Sequence, residues 1–236
     1  MLPPKVLIFT PIYDQKDYCL DKFVSYVSKI NYPNKKHIFI DNSPSKKYYY
    51  QLKGKLEPLG FEVYHIKRGN NSREALTRAQ NFARKIAIDE GYNYLFSIES
   101  DIMVPMTVTQ DLMKHSKDVV TAYYTIGNDK VRVPCITIPE YHENLGVYGT
   151  RLLKTQEEVN SFTRKGLQEV QAGGMGVCLM YIDVVKKFPF KYDPRYRSHS
   201  DVYFFTDCFN HNKKVFVDTD IICPHDNSDW SKVDDA

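Results

Sequence analysis

Four short apolar runs, each separated from the next by a segment of helical period, constrain the fold of this chain more than any other feature. The runs are KVLIFT at 5–10, HIFI at 37–40, FEVYHI at 61–66 and NYLFSI at 93–98. Their length and their β-branched and aromatic content predict buried strands. Between the first two, Leu20, Phe23, Val24 and Val27 recur at helical spacing over 17–30, and Asn31-Tyr32-Pro33-Asn34 stops that helix. A second helix is expected over 45–56. A third starts at a Ser72 cap and runs to about Asp89, with Ala75, Ala79, Phe82, Ala83 and Ile86 on one side. The order β-α-β-α-β-α-β predicts an α/β fold with a mostly parallel sheet and helices on both faces.

Ligands in such open sheets bind beyond the carboxyl ends of the strands. The four strand tips are Thr10-Pro11-Ile12-Tyr13, Asp41-Asn42-Ser43, His65-Ile66-Lys67-Arg68 and Glu99-Ser100-Asp101. All are polar, and two carry carboxylates.

The second half is less periodic. A strand is expected at 119–124, an insertion without clear period over 139–166, and a glycine-rich turn, QAGGMG, at 171–176 before the apolar run 177–182. A helix is expected over 201–212, then two short strands at 214–218 and 220–223. No repeat or linker interrupts the chain, so 1–236 reads as one domain. Its expected parts are 1–105, which a family resemblance given below implies to be a nucleotide-binding half, 106–225, implied to be an acceptor-side half, and a polar tail at 226–236. With 42% hydrophobic and 26% charged residues among 236, the chain can bury a sizeable core.

A net charge of +3 does not by itself indicate a nucleic-acid partner. The clustered Lys35-Lys36, Lys46-Lys47, Lys67-Arg68 and Lys213-Lys214 read either as solvated faces or as a surface that steers a polyanion, such as DNA carrying a hydroxymethylated base. Five cysteines, odd in number and without a C-x-x-C pair, suit reduced thiols and a cytoplasmic setting. No run approaches the roughly 18 apolar residues of a membrane span, so a soluble protein is expected.

Glu99 and Asp101 lie one residue apart at the fourth strand tip. On an extended strand such a pair points the same way, and two like charges need neutralising. A divalent cation, Mn²⁺ or Mg²⁺, does so and keeps positions open for phosphate oxygens. The alternative is a solvated turn. Asp201 opens an apolar helix, where a carboxylate serves as cap or first-turn residue, or faces a site. His225 ends the last strand region as a metal ligand or a surface residue. Gly173, Gly174 and Gly176 either form a tight turn or let backbone approach a sugar or diphosphate closely. No G-x-G-x-x-G, G-x-x-x-x-G-K-[ST], G-x-S-x-G or H-E-x-x-H occurs.

Taken in order, KVLIFTPIYDQKDYCLDKFVSYV, FIDNSPS, NNSREALTRAQNFARKIA, IESDIMVP, QAGGMGVCLMYIDVV and HSDVYFFTDCFNHNKKVFVDTDIICPH resemble the motifs of GT-A fold glycosyltransferases of the broad family-two type. The resemblance spans about 5–225. It implies a Rossmann-like single domain and a nucleotide-diphosphate-sugar donor, a UDP-sugar first. Pro11, Tyr13 and Asp41 would hold base and ribose. Arg73, Arg78 and Asn81 would lie near base or diphosphate, and Ser100, Gly173 and Gly174 along the donor. Glu99, Asp101 and His225 would hold the metal, and Asp201 would be the catalytic base of an inverting transfer to an acceptor hydroxyl. The acceptor would be a saccharide, with DNA as the alternative. Glu99 replaces the usual first Asp, and Ser200 stands where Glu commonly precedes the base. A sugar-nucleotide nucleotidyltransferase and an inactive nucleotide- or glycan-binding module are the rival readings.

Overall fold

The computed structural model of the chain describes residues 2–127, 132–143 and 147–226. The first half follows the predicted alternation: β1 (Val6–Ile12), α1 (Asp17–Val27), β2 (Lys35–Asp41), α2 (Lys46–Leu56), β3 (Glu62–His65), α3 (Ser72–Asp89) and β4 (Tyr94–Ile98). The second half comprises α4 (Val108–Met113), β5 (Val119–Tyr123), β6 (Thr125–Gly127), β7 (Arg132–Pro134), β8 (Thr137–His142), β9 (Val147–Leu152), α5 (Gln156–Phe162), β10 (Leu167–Val170), β11 (Val177–Tyr181), α6 (Ile182–Lys187), α7 (Ser200–Asn210) and β12 (Val215–Ile222).

Eight strands form the central sheet in the order β10-β12-β5-β11-β4-β1-β2-β3. Strands β1 to β5 and β12 run one way, while β11 and β10 run against them, so the sheet is mostly parallel. Strand β1 is apolar without alternation because both of its faces are covered. Val6 and Ile8 pack with α1, α2 and α4, whereas Leu7 and Phe9 pack with α3, α6 and α7. From β1 the chain steps outward through β2 to β3, then returns to place β4 on the other side of β1. The carboxyl ends of β1 and β4 therefore flank the point where the strand order reverses, the place where such sheets bind ligands.

Several expectations change. The 139–166 stretch is not an irregular insertion but part of the β8–β9 hairpin followed by α5, whose Thr155 and Glu158 form a reciprocal capping box. The two expected strands at 214–223 are one strand, β12, with a register shift between Asp218 and Ile222. The cap of α3 is Asn71, whose side chain accepts from Glu74 N at 3.0 Å, rather than Ser72. Of the expected polar tail, 227–236 lies outside the described residues. No described helix is long and apolar enough to cross a membrane.

His37 of β2 is an exception in this apolar sheet. Its ring stacks on Phe39 at 4.9 Å and meets the edge of Phe61 at 5.1 Å, with Nε2 2.9 Å from Thr10 Oγ1. Burial, helped by the Lys35 charge, lowers its pKa from 6.5 to about 3. The native ring stays neutral while the unfolded chain takes up a proton below pH about 6.5. Stability is thus complete above that pH and falls as pH drops toward 3, by about 2 kcal/mol at pH 5. Urea unfolding at pH 7.5 and pH 5 should show this loss in the parent and much less of it in His37→Gln. Equal losses in both would dismiss the assignment.

Candidate functional site

A cleft of about 230 Å³ opens at the reversal point. Pro11, Ile12 and Tyr13 line it from the end of β1, Asn42 from beyond β2, and Glu99, Ser100 and Asp101 from beyond β4. Ser72, Ala75 and Leu76 of α3 close one wall, and Lys16, Arg68 and His199 supply basic groups. The Arg68 guanidinium lies over the Tyr13 ring, 4.4 Å from its centroid, and donates to Asn42 Oδ1 at 2.9 Å. A planar cation on an aromatic face makes one end of the cleft suited to a flat, polar group.

Of the residues expected to hold a donor, Pro11, Tyr13, Glu99, Ser100 and Asp101 line this cleft. Asp41 does not. It is fully buried behind the wall, where Oδ1 accepts from Ser43 N at 2.9 Å and Ser43 Oγ at 2.5 Å, and Oδ2 lies 2.7 Å from His65 Nδ1. Ser43 Oγ in turn accepts from Asp14 N at 2.9 Å. Asp41 thus orders the loop after β1 that carries Tyr13 and Lys16.

Arg73, Arg78 and Asn81 also face elsewhere. The cleft receives the 72, 75 and 76 positions of α3, one helical stripe, and the other three lie on different stripes. Arg73 donates to the Tyr196 carbonyl, and Arg78 donates to Glu74 at 2.6 Å. Asn81 exchanges hydrogen bonds with the Phe190 backbone at 2.8 and 3.2 Å, tying the segment ahead of α7 to α3.

Glu99 and Asp101 sit on a turn, closed by Ile102 N donating to Glu99 O at 3.1 Å, rather than on extended strand. Buried Ile102, Met103 and Val104 anchor that turn in the core. Ile102 bridges to His225, Met103 N donates to Pro224 O at 2.8 Å and Asp226 N to Asp101 O at 2.7 Å. This docking brings two residues 124 positions apart together: His225 Nε2 lies 3.2 Å from Asp101 Oδ2. The His225 Nδ1–H donates to the Thr125 carbonyl at 2.8 Å. Lys16 Nζ lies 2.5 Å from the same Asp101 oxygen.

The charges are unevenly shared. Burial alone would raise the Asp101 carboxyl, but His225 and Lys16 outweigh it and hold it well below the usual carboxylate range. Burial and the Asp101 charge push Glu99 up to about 7. Burial opposes the charge on Lys16, yet Asp101 raises its pKa above the ordinary value, so it stays an ammonium.

A divalent ion here would have to be held by side chains such as these. Among the described residues no group of three His, Cys, Asp or Glu side chains is placed to hold one. Asp101 and His225 meet as a pair, and the cation on their shared oxygen is Lys16.

Gly173 and Gly174 make close approaches, but to the protein's own interior. A Cβ on Gly173 would stand 2.1 Å from Thr121 Oγ1. One on Gly174 would stand 2.2 Å from the Tyr124 hydroxyl and 2.5 Å from Cys135 Sγ, and its φ of +74° is unfavourable for any side chain. Tyr124 also accepts from Gly176 N at 3.0 Å and meets the His225 ring edge-on at 5.9 Å. Gly174→Ala should therefore cost about 3 kcal/mol by urea unfolding. A loss below about 1 kcal/mol would mean that the turn shifts freely.

Asp201 lies in the first turn of α7 and accepts from Val202 N at 2.7 Å. It faces a second cavity, of about 220 Å³, with Thr137, Gln171, Gly174, Phe205 and Thr206. Its predecessor Ser200 is buried and donates to Gln80 Oε1 at 2.5 Å, so His199 lines the first cavity and Asp201 the second. Burial raises the Asp201 carboxyl above its ordinary pKa, and its charge acts in turn on Glu99.

No protein-family model and no curated protein matches the chain. Solved structures do. Staphylococcus aureus TarS 1-349 in complex with UDP is 13% identical, with a TM-score of 0.60 over 97% of this chain and 62% of that one. The UDP-GlcNAc complex of the same fragment gives 0.57 over 93% and 58%, at 13% identity. A structure of S. aureus TarS gives 0.61 at 12% identity, over 97% of this chain and 38% of that one. The chain thus spans less than two thirds of each of these structures. With its mostly parallel sheet, helices on both faces and cleft at the strand reversal, the chain has the GT-A fold that it shares with TarS.

Proposed function

We propose that the chain transfers a sugar from a nucleotide diphosphate sugar to an acceptor hydroxyl. The observation that carries this is the pairing of two cavities across one short run. His199 faces the strand-tip cleft, and Asp201, two residues on, faces a cavity lined by hydroxyl and amide groups. The TarS structures with UDP and UDP-GlcNAc support a UDP-sugar as donor.

In this reading the base lies beside the stacked Tyr13 and Arg68 pair, and the diphosphate lies by Lys16. Asp201 takes the proton of the acceptor hydroxyl as its oxygen bonds to the anomeric carbon. The bond from that carbon to the diphosphate breaks, and its electron pair leaves with UDP. A carboxyl of raised pKa is a better proton acceptor, and direct displacement inverts the anomeric centre. Thr137, Thr150, Thr206 and Gln171 offer hydrogen bonds to a hydroxylated acceptor, and Phe205 an apolar face. Among the described residues neither Lys, Arg nor His lines that cavity, which favours a neutral saccharide over DNA. The basic groove formed by Lys46, His65, Lys67 and Arg68 lies at the nucleotide end instead.

Incubation with UDP-GlcNAc and other UDP-sugars, with and without Mn²⁺ and a saccharide panel, should release UDP above an Asp201→Asn control. Absence of release with every donor would refute the transferase. Pyrophosphate exchange with UTP would favour the nucleotidyltransferase instead.

A further inference from the structure

We propose that Lys16 supplies the positive charge met by the donor diphosphate in this cleft, at the place where the sequence leads one to expect a metal ion. The inference rests on the nucleotide-sugar reading and concerns how the same site handles charge.

The cleft wall holds Glu99 and Asp101 side by side at one end. Two carboxylates repel a diphosphate unless a cation intervenes. Among the described residues, the ammonium of Lys16 lies within bonding distance of Asp101, 2.5 Å from Oδ2, on a side chain only 15% exposed. Its second neighbour is His225, 3.2 Å from that oxygen. Both Arg68 and Lys16 line the cleft, Arg68 over Tyr13 and Lys16 against Asp101. A diphosphate bound in this cleft would meet the Lys16 ammonium on its wall.

The backbone that carries Lys16 is fixed from three directions. Lys16 N donates to Tyr13 O at 2.9 Å, closing a single helical turn after β1. The Ser43 hydroxyl holds Asp14 N from the loop after β2. The Cys19 thiol lies 3.2 Å from Lys16 O and 3.3 Å from Ser100 O in the loop after β4. Loops from three parallel strands thus converge on one lysine. A fixed ammonium against phosphate is a charge-assisted donor, as in other phosphate sites built on a lysine point charge. Asp101 then acts as the group that holds Lys16 in place.

Calorimetric titration of the full chain with UDP, and with uridine as a probe without phosphate, tests this in excess EDTA and in Mn²⁺. The parent should bind UDP in EDTA. Lys16→Met should weaken UDP binding in EDTA by about tenfold or more, leave uridine binding unchanged, and recover part of the loss in Mn²⁺. Lys16→Arg keeps the charge and should retain most UDP affinity, which separates charge from folding. Parent binding that requires Mn²⁺ would overturn the inference and leave the nucleotide-sugar reading intact. Undiminished UDP binding by Lys16→Met in EDTA would also overturn it. Failure of UDP to bind under either condition would overturn both.

Discussion

Asp201→Asn is expected to lower the rate of sugar transfer by about 10²- to 10⁴-fold while leaving UDP affinity unchanged. The substitution keeps the size and hydrogen-bonding reach of the side chain but removes its capacity to accept a proton. Asp201 lies outside the donor cleft, and its backbone partner Val202 N can be served equally well by an amide oxygen. Donor binding and folding should therefore be spared, and the loss should fall on turnover. Single-turnover transfer and UDP titration, measured on the same preparation, separate the two. Transfer at the parent rate would reduce Asp201 to a first-turn helix residue. A parallel loss of UDP affinity would place it in the donor site instead.

Asp101→Asn is expected to lower folding stability by about 3–5 kcal/mol. Asp101 is 2% exposed, and one of its oxygens meets both Lys16 at 2.5 Å and His225 at 3.2 Å. Removing the anion leaves two basic groups near one another without the charge that offsets their burial. The cost of such an orphaned charge exceeds the net worth of the intact pair. The double variant Lys16→Met with Asp101→Asn should accordingly regain part of the loss, because it removes the stranded ammonium too. Urea unfolding of the parent, both single variants and the double variant gives the coupling directly. Additive losses would show that Lys16 and Asp101 do not interact in the folded protein.

How legible the site was depends on whether its residues are near in sequence or only in space. Glu99-Ser100-Asp101 and Pro11-Tyr13 were visible because a polar group that ends a buried apolar run must lie at a strand tip. Lys67-Arg68 was visible as a tip, though not as the partner of Tyr13. Lys16 carried no periodic signal, since a cation in a short turn looks like any solvated lysine. Asp41 looked like a tip residue but is consumed by Ser43 and His65, a hydrogen-bond pattern that a single strand does not reveal. Arg73, Arg78 and Asn81 share a helix with the cleft-lining Ser72, Ala75 and Leu76, and the rotation of that helix against the sheet excludes them. The glycines could be read as a tight turn or as an approach for a sugar or diphosphate, and what stands against Gly173 and Gly174 is Thr121, Tyr124 and Cys135.

By itself, the sequence determined the alternation of strands and helices in the first half, the doubly covered sheet and the end of it where polar groups collect. These follow from local period and burial, which each segment carries within itself. Only the tertiary structure decided that β11 runs against β4 and that Asp201 faces a separate cavity from Asp101. It alone placed Lys16 and His225 on one carboxylate oxygen. Those outcomes depend on which strand edges and loops meet across more than 80 residues of chain, a matter of long-range packing that no local pattern encodes.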